Sequence, residues 1–199
     1  MEVRGGAGNG FAELQAELKR LARVKNAVIL AHNYQRPEVQ DAADFVGDSL
    51  GLSRRAAESD AEIIVFCGVD FMAETAAILA PEKRVILPEA RACCPMAQMV
   101  DVEGLQELKD QHPGAWVVSY VNTSAEVKAL SDVCCTSANA VQVLQGVPAD
   151  REIIFTPDRN LGSWAARRAG REVILWEGFC PTNEFTQLED IVRAKQGIR

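Results

Sequence analysis

Two periodicities alternate along the chain. In residues 11–24 (FAELQAELKRLARV), Phe11, Leu14, Leu18 and Leu21 recur at helical intervals and predict a helix with one apolar face. Beyond it, short runs rich in β-branched residues at 27–31, 62–67, 84–87, 116–120, 131–135, 152–155 and 172–176 predict strands. Between them, 49–59, 71–79, 125–130, 139–144, 160–169 and 184–195 predict helices. Short apolar strands separated by helices of about three turns mark parallel sheets covered on both faces. The expected fold class is therefore α/β, with small three-layer α/β/α domains. Ligands of such folds sit beyond the carboxyl ends of the strands, so the residues that follow each strand are the ones to examine.

Those strand ends repeat. "VILAHNYQRPEVQDAADFVGDSL" lies against "VVSYVNTSAEVKALSDVCCTSAN", and at that separation His32 falls on Tyr120, Ser49 on Ser137 and 85–87 on 173–175. "DAEIIVFCGVDFMAE" lies against "DREIIFTPDRNLGSW", and a gap of two sets Cys94 on Cys180, each followed by Pro. Repeats of this length predict two like domains rather than a solenoid. The boundaries expected are a tail and helix over 1–26, a first domain over 27–112 and a second over 113–180. Residues 181–199 would begin an incomplete third domain or form a C-terminal helix. Two like domains around a pseudo-symmetry axis would turn equivalent strand ends, and both cysteines, toward one cleft.

Charge and composition narrow the partners. A net charge of −7 argues against a nucleic-acid or anionic-membrane partner. No apolar run approaches the roughly 20 residues that span a bilayer. The opening MEVRGGAGNG lacks the apolar core of a secretory signal and reads as a loose tail of a cytosolic protein. In a reducing compartment the six cysteines would be core residues, ligands or nucleophiles. The adjacent pairs Cys93-Cys94 and Cys134-Cys135 do not make a zinc knuckle. Cys67, Cys134 and Cys135 fall inside strand runs, where free Cys behaves as a small buried hydrophobe.

The remaining polar groups suggest chemistry. His32 and Tyr34, directly after the first strand, can orient carboxylates and move protons. Ser49 opens a predicted helix and Ser137 holds the matching place in the repeat; each is by itself a cap, and as a pair they suit a substrate with two anionic groups. Tyr120 can serve as acid or base and Asn122 as a carboxylate donor. Cys94 and Cys180 are soft donors for an iron–sulfur cluster or zinc, although two thiolates are too few for a stable cluster. A thiol enzyme using either cysteine as nucleophile is a weaker alternative, because no histidine adjoins them in sequence.

The runs "AHNYQRPEVQDAADFVGDSL", "GVDFMAETAAILAPEKRVILPEARACCPMA", "SYVNTSAEVKALSDVCCTSANA", "TPDRNLG" and "GFCPTNEF" resemble, in order and spacing, the motifs of the quinolinate synthase family. That resemblance implies condensation of iminoaspartate with dihydroxyacetone phosphate to quinolinate in NAD biosynthesis. It also implies three α/β/α domains, each giving one cysteine to a 4Fe-4S cluster whose open iron acts as a Lewis acid. An aspartate-oxidising enzyme would supply the iminoaspartate. By motif, Cys94 and Cys180 resemble cluster ligands, and His32, Ser49, Tyr120, Asn122 and Ser137 resemble substrate-binding residues. Tyr34, Tyr120 and His32 resemble the catalytic groups. The sequence departs from the pattern at Asn183, where the family has a histidine, and at its end, where the segment carrying a third cysteine is expected. The expectation is thus a chain truncated before its third domain, with an apolar surface left exposed, and the alternative is a non-catalytic module that binds a small dianion.

Overall fold

A computed structural model describes residues 8–197, with side chains from residue 11; the first seven residues of the expected tail lie outside the described residues. The chain divides into two compact units, one ending at Ala92 and the other beginning at Cys93. The first runs α1 (Gly8–Val24), β1 (Ala27–His32), α2 (Pro37–Gln40), β2 (Phe45–Gly47), α3 (Ser49–Glu58), β3 (Ile63–Cys67), α4 (Asp70–Leu79) and β4 (Arg84–Ile86). Its parallel sheet has the order β2-β1-β3-β4.

The second unit opens with a 3-10 turn (Ala97–Met99). It continues with α5 (Val102–Gln111), β5 (Trp116–Tyr120), α6 (Ala125–Ala129), β6 (Val133–Cys135), α7 (Ala140–Gly146), β7 (Ile153–Thr156), α8 (Arg159–Ala169) and β8 (Ile174–Leu175). Two helices, α9 (Pro181–Glu184) and α10 (Leu188–Gly197), follow. Its sheet, also parallel, has the order β6-β5-β7-β8. The architecture is α/β with repeated parallel four-stranded sheets, as the periodicity predicts.

Hydrogen bonds repeat along with the strands. Asp44 Oδ2 accepts from the Ile29 amide at 2.8 Å, and Asp132 Oδ2 accepts from the Val117 amide at the same distance. The Asp44 and Asp132 amides in turn donate to the Ile29 and Val117 carbonyls at 2.8 and 3.0 Å. Each aspartate therefore ties the start of an edge strand to the central one and fixes its register, Leu30 opposite Phe45 and Val118 opposite Val133. The third strands need one correction. Val28 and Trp116 are counterparts, Val28 pairs with Ile64 and Trp116 with Ile153, so Ile64 rather than Ile63 matches Ile153. Matching the letters "EII" overshoots the backbone register by one residue.

Strand β2 escapes the periodicity because it is a three-residue edge strand with Phe45 and Val46 exposed. Helix α5 escapes because Leu105 is its one fully buried side chain, too sparse a stripe to read in sequence. The helix expected over 184–195 is α10, which starts only at Leu188; the short α9 before it ends at Glu184.

In the second unit both faces of the sheet are covered. Ala140, Leu144 and Ala165 pack with Val118, Ile153 and Phe155 on one side, and Leu105 and Val127 with Val117 and Ile154 on the other. In the first unit Leu52, Ala56, Phe71 and Ala76 are among the buried positions of α3 and α4. Helix α1 lies against β1 and leaves an apolar groove of about 390 Å3 lined by Leu18, Leu21, Ile29, Ile63, Val65 and Ile86. The apolar side chains of α1 and α10 stay largely exposed.

Close packing between α8 and its sheet leaves no room for a side chain at Gly162, where a Cβ would stand 2.6 Å from both Phe155 Cδ1 and Leu175 Cδ2. Alanine gains up to about 1 kcal/mol of helix propensity, but overpacking against a fixed ring costs about 1–3 kcal/mol. Gly162→Ala is expected to lower the midpoint of denaturant unfolding. A variant more stable than the parent would contradict the packing described.

Candidate functional site

The carboxyl end of β1 carries His32, buried at 8% exposure. Its Nδ1 accepts the Tyr34 amide at 3.3 Å, which leaves the proton of the neutral ring on Nε2. Burial holds the imidazole below its usual pKa, and the nearby Asp48 carboxylate offsets this only in part. His32 is therefore a neutral N–H donor near pH 7. Tyr34 sets its ring edge-on to His32, with centroids 4.8 Å apart, and is 89% exposed. Ser49 is the first residue of α3, but the cap is Asp48, whose Oδ1 accepts from the Gly51 amide at 2.8 Å. Ser49 Oγ makes no hydrogen bond among the described residues.

In the second unit Tyr120 ends β5, and the Ser137 hydroxyl acts on its phenol. Burial pushes its phenol above the usual value of 10, and the Asp158 carboxylate adds to that. The Ser137 hydroxyl works the other way, and charge on Cys135 or Cys94 would raise the phenol further. Tyr120 thus lies within electrostatic range of Asp158, Cys94 and Cys135, and it keeps its proton at neutral pH. A phenol in that state can donate a proton or a hydrogen bond.

Ser137 does not open a helix as Ser49 does. It lies in a turn closed by Asn139 Oδ1, which accepts from the Thr136 amide at 2.6 Å and delays α7 to Ala140. Asn122, half-buried in the turn after Tyr120, makes no side-chain hydrogen bond among the described residues.

Cys180 caps α9. The segment before it is tied back to the one that follows Cys94: Trp176 Nε1 donates to the Met99 carbonyl at 2.7 Å, and the Phe179 amide to Met99 Sδ at 3.4 Å. Asp158 and Arg159 hold the same segment from α8. Asp158, buried, accepts from the Asn160 and Leu161 amides and bridges to Gly178. Neither was singled out from the sequence. The signal was there, since "TPDRNLG" directly follows a strand end.

A model of the quinolinate synthetase A protein family matches residues 16–198. The chain belongs to this family. It is 60% identical over 184 residues to the quinolinate synthase of Desulforudis audaxviator, covering 92% of this chain and 61% of that protein. It is equally similar to the quinolinate synthase of Methanoregula boonei, 60% over 184 residues and 61% of that protein. To that of Geobacter metallireducens it is 57% identical over 182 residues, 60% of that protein. The chain thus spans about 60% of the length of the curated relatives it matches. No helix among the described residues is long and apolar enough to cross a membrane.

Family membership raises the question of an iron–sulfur cluster. Cys94 and Cys180 are in no disulfide and lie partly exposed in one unit, the soft donors such a cluster takes. They fit part of a donor set: among the described residues no three His, Cys, Asp or Glu side chains are grouped to hold one metal ion. The other thiols are placed differently. Burial pushes Cys135 up to about 12 and raises Cys67. Cys93 is exposed, and so is Cys134, which is not the buried hydrophobe its strand position suggests, because β6 is an edge strand. Asn183 is exposed on α9, its amide donating to the Cys180 carbonyl at 3.1 Å.

Because the Ser137 hydroxyl lowers the Tyr120 pKa, its removal should raise it. In a Tyr34→Phe background, tyrosinate absorbance followed against pH reports Tyr120 alone, as the chain has two tyrosines. Tyr120 is expected to titrate above 10, and Ser137→Ala to move the transition to still higher pH. Titration below 10, or a downward move, would contradict this electrostatic picture.

Proposed function

We propose that this chain carries the first two of the domains of a quinolinate synthase, which condenses iminoaspartate with dihydroxyacetone phosphate to quinolinate, losing water and phosphate, in NAD biosynthesis. The observation that carries the proposal is that the family match spans every candidate residue, while Tyr120, Ser137, Cys94 and Cys180 belong to one compact unit. Both substrates are small anions. They call for neutral hydrogen-bond donors and a proton source rather than a basic surface, in keeping with the acidic chain.

His32, through Nε2–H, and the Ser49 hydroxyl bind anionic oxygens of the substrates, as do Ser137 and Asn122. Tyr120, protonated and half-buried, donates a proton from its phenol to a leaving or developing oxygen. Tyr34, exposed beside His32, exchanges protons with solvent. Cys94 and Cys180 would hold a 4Fe-4S cluster, which when bound supplies a Lewis-acidic iron. The working compartment is the cytoplasm, and an aspartate-oxidising enzyme is the source of the unstable imine.

Anaerobically prepared protein, given dihydroxyacetone phosphate and iminoaspartate generated from aspartate in situ, is expected to form quinolinate, read by chromatography. Tyr120→Phe should lower the rate by about 10²–10⁴-fold, the usual contribution of a positioned proton donor. Calorimetric binding of dihydroxyacetone phosphate with no quinolinate formed would instead favour a dianion-binding module without catalysis. Neither binding nor product would overturn the proposal.

A further inference from the structure

We propose that Arg159 is the positioning residue for the Cys180 thiol, a fork at the start of α8 that spans the cysteine and holds the chain on both sides of it. Upstream of Cys180, the Arg159 amide donates to the Gly178 carbonyl at 2.8 Å. Its Nη1 faces the Glu177 carboxylate at 3.5 Å, and its guanidinium lies 4.9 Å over the Phe179 ring. Downstream, its Nη2 donates to Glu184 Oε1 at 2.9 Å, while Asn160 Nδ2 donates to the other oxygen at 2.7 Å. The Glu184 amide closes the circuit by donating to the Cys180 carbonyl at 2.9 Å. One side chain therefore grips Glu177 and Phe179 before the thiol and Glu184 after it.

Several features set this apart from an ordinary surface ion pair. Both charged side chains are about two-thirds withdrawn from water, at 34% and 33% exposure. Both oxygens of the Glu184 carboxylate have a donor, and these hydrogen bonds hold its carboxyl below the usual range. The anchor is stiff, because α8 starts at the Asp158 cap and buries Gly162, Ala165 and Ala166. The backbones also touch: a Cβ on Gly178 would stand 2.3 Å from the Pro157 carbonyl oxygen, so the loop lies flat against the α8 entry. A lysine has one point charge and cannot serve carboxylates on both sides while stacking on a ring.

The role rests on the proposed reading of Cys180 as a ligand, and the test separates the two. Alkylation rates of each thiol, resolved by peptide mass spectrometry, would be measured in the parent, Arg159→Gln, Arg159→Lys and Glu184→Gln, with circular dichroism confirming the fold. Arg159→Gln is expected to speed alkylation of Cys180 severalfold, with Cys93, Cys94 and Cys134 unchanged; Arg159→Lys and Glu184→Gln should fall between it and the parent. An unchanged Cys180 rate, or a rise shared by all thiols, would overturn the positioning role. The ligand reading is checked apart, by iron retained in Cys180→Ala. A selective rise at Cys180 supports the positioning role whichever way that iron result falls.

Discussion

A parallel sheet with helices on its faces delivers every strand to the same edge, so each outgoing loop begins where the others do. Everything chemical in this chain depends on that constraint. His32 and Tyr120 close the central strands of their sheets, and Asp158 and Arg159 follow β7. The repeated aspartates make the edge dependable. By tying β2 to β1 and β6 to β5 at one register, Asp44 and Asp132 set how far each loop reaches past the sheet. A slip of one residue would turn Tyr120 or His32 to the opposite face.

The two sites share a backbone plan and use it for different chemistry. Histidine in one unit and tyrosine in the other occupy equivalent strand ends, and burial acts on both in the direction of the neutral form. One becomes an uncharged donor, the other a phenol that retains its proton. Each has an aspartate in its neighbourhood, with opposite consequence: Asp48 favours the charged imidazolium, whereas Asp158 disfavours the charged phenolate. The duplicated scaffold thus supplies two neutral donors at equivalent strand ends.

Most of the scaffold was legible because buried strands and amphipathic helices carry their period in the letters. What escaped was held by something other than period. β2 is an exposed three-residue edge strand, α5 has a single fully buried residue, and the offset of the third strand follows backbone register. Among the site residues, polar letters at strand ends pointed to His32, Tyr120 and Ser137. They did not reveal that Asn139 rather than Ser137 organises the turn before α7, or that Asp48 rather than Ser49 caps α3. The run TPDRNLG marked Arg159 as a strand-end residue, but its partners, Glu177 and Glu184, lie a whole strand and loop away, so its contacts were not legible.

The central claim is that Cys94 and Cys180 are ligands of an iron–sulfur cluster, and direct chemical analysis decides it. Iron and acid-labile sulfide per chain would be counted after anaerobic reconstitution, with the visible spectrum recorded alongside. The expected result is iron and sulfide bound in equal amounts, up to about four of each and held weakly by two thiolates, and lost in Cys94→Ala. A chain that retains no iron, or a Cys94→Ala variant that retains as much as the parent, would contradict the assignment.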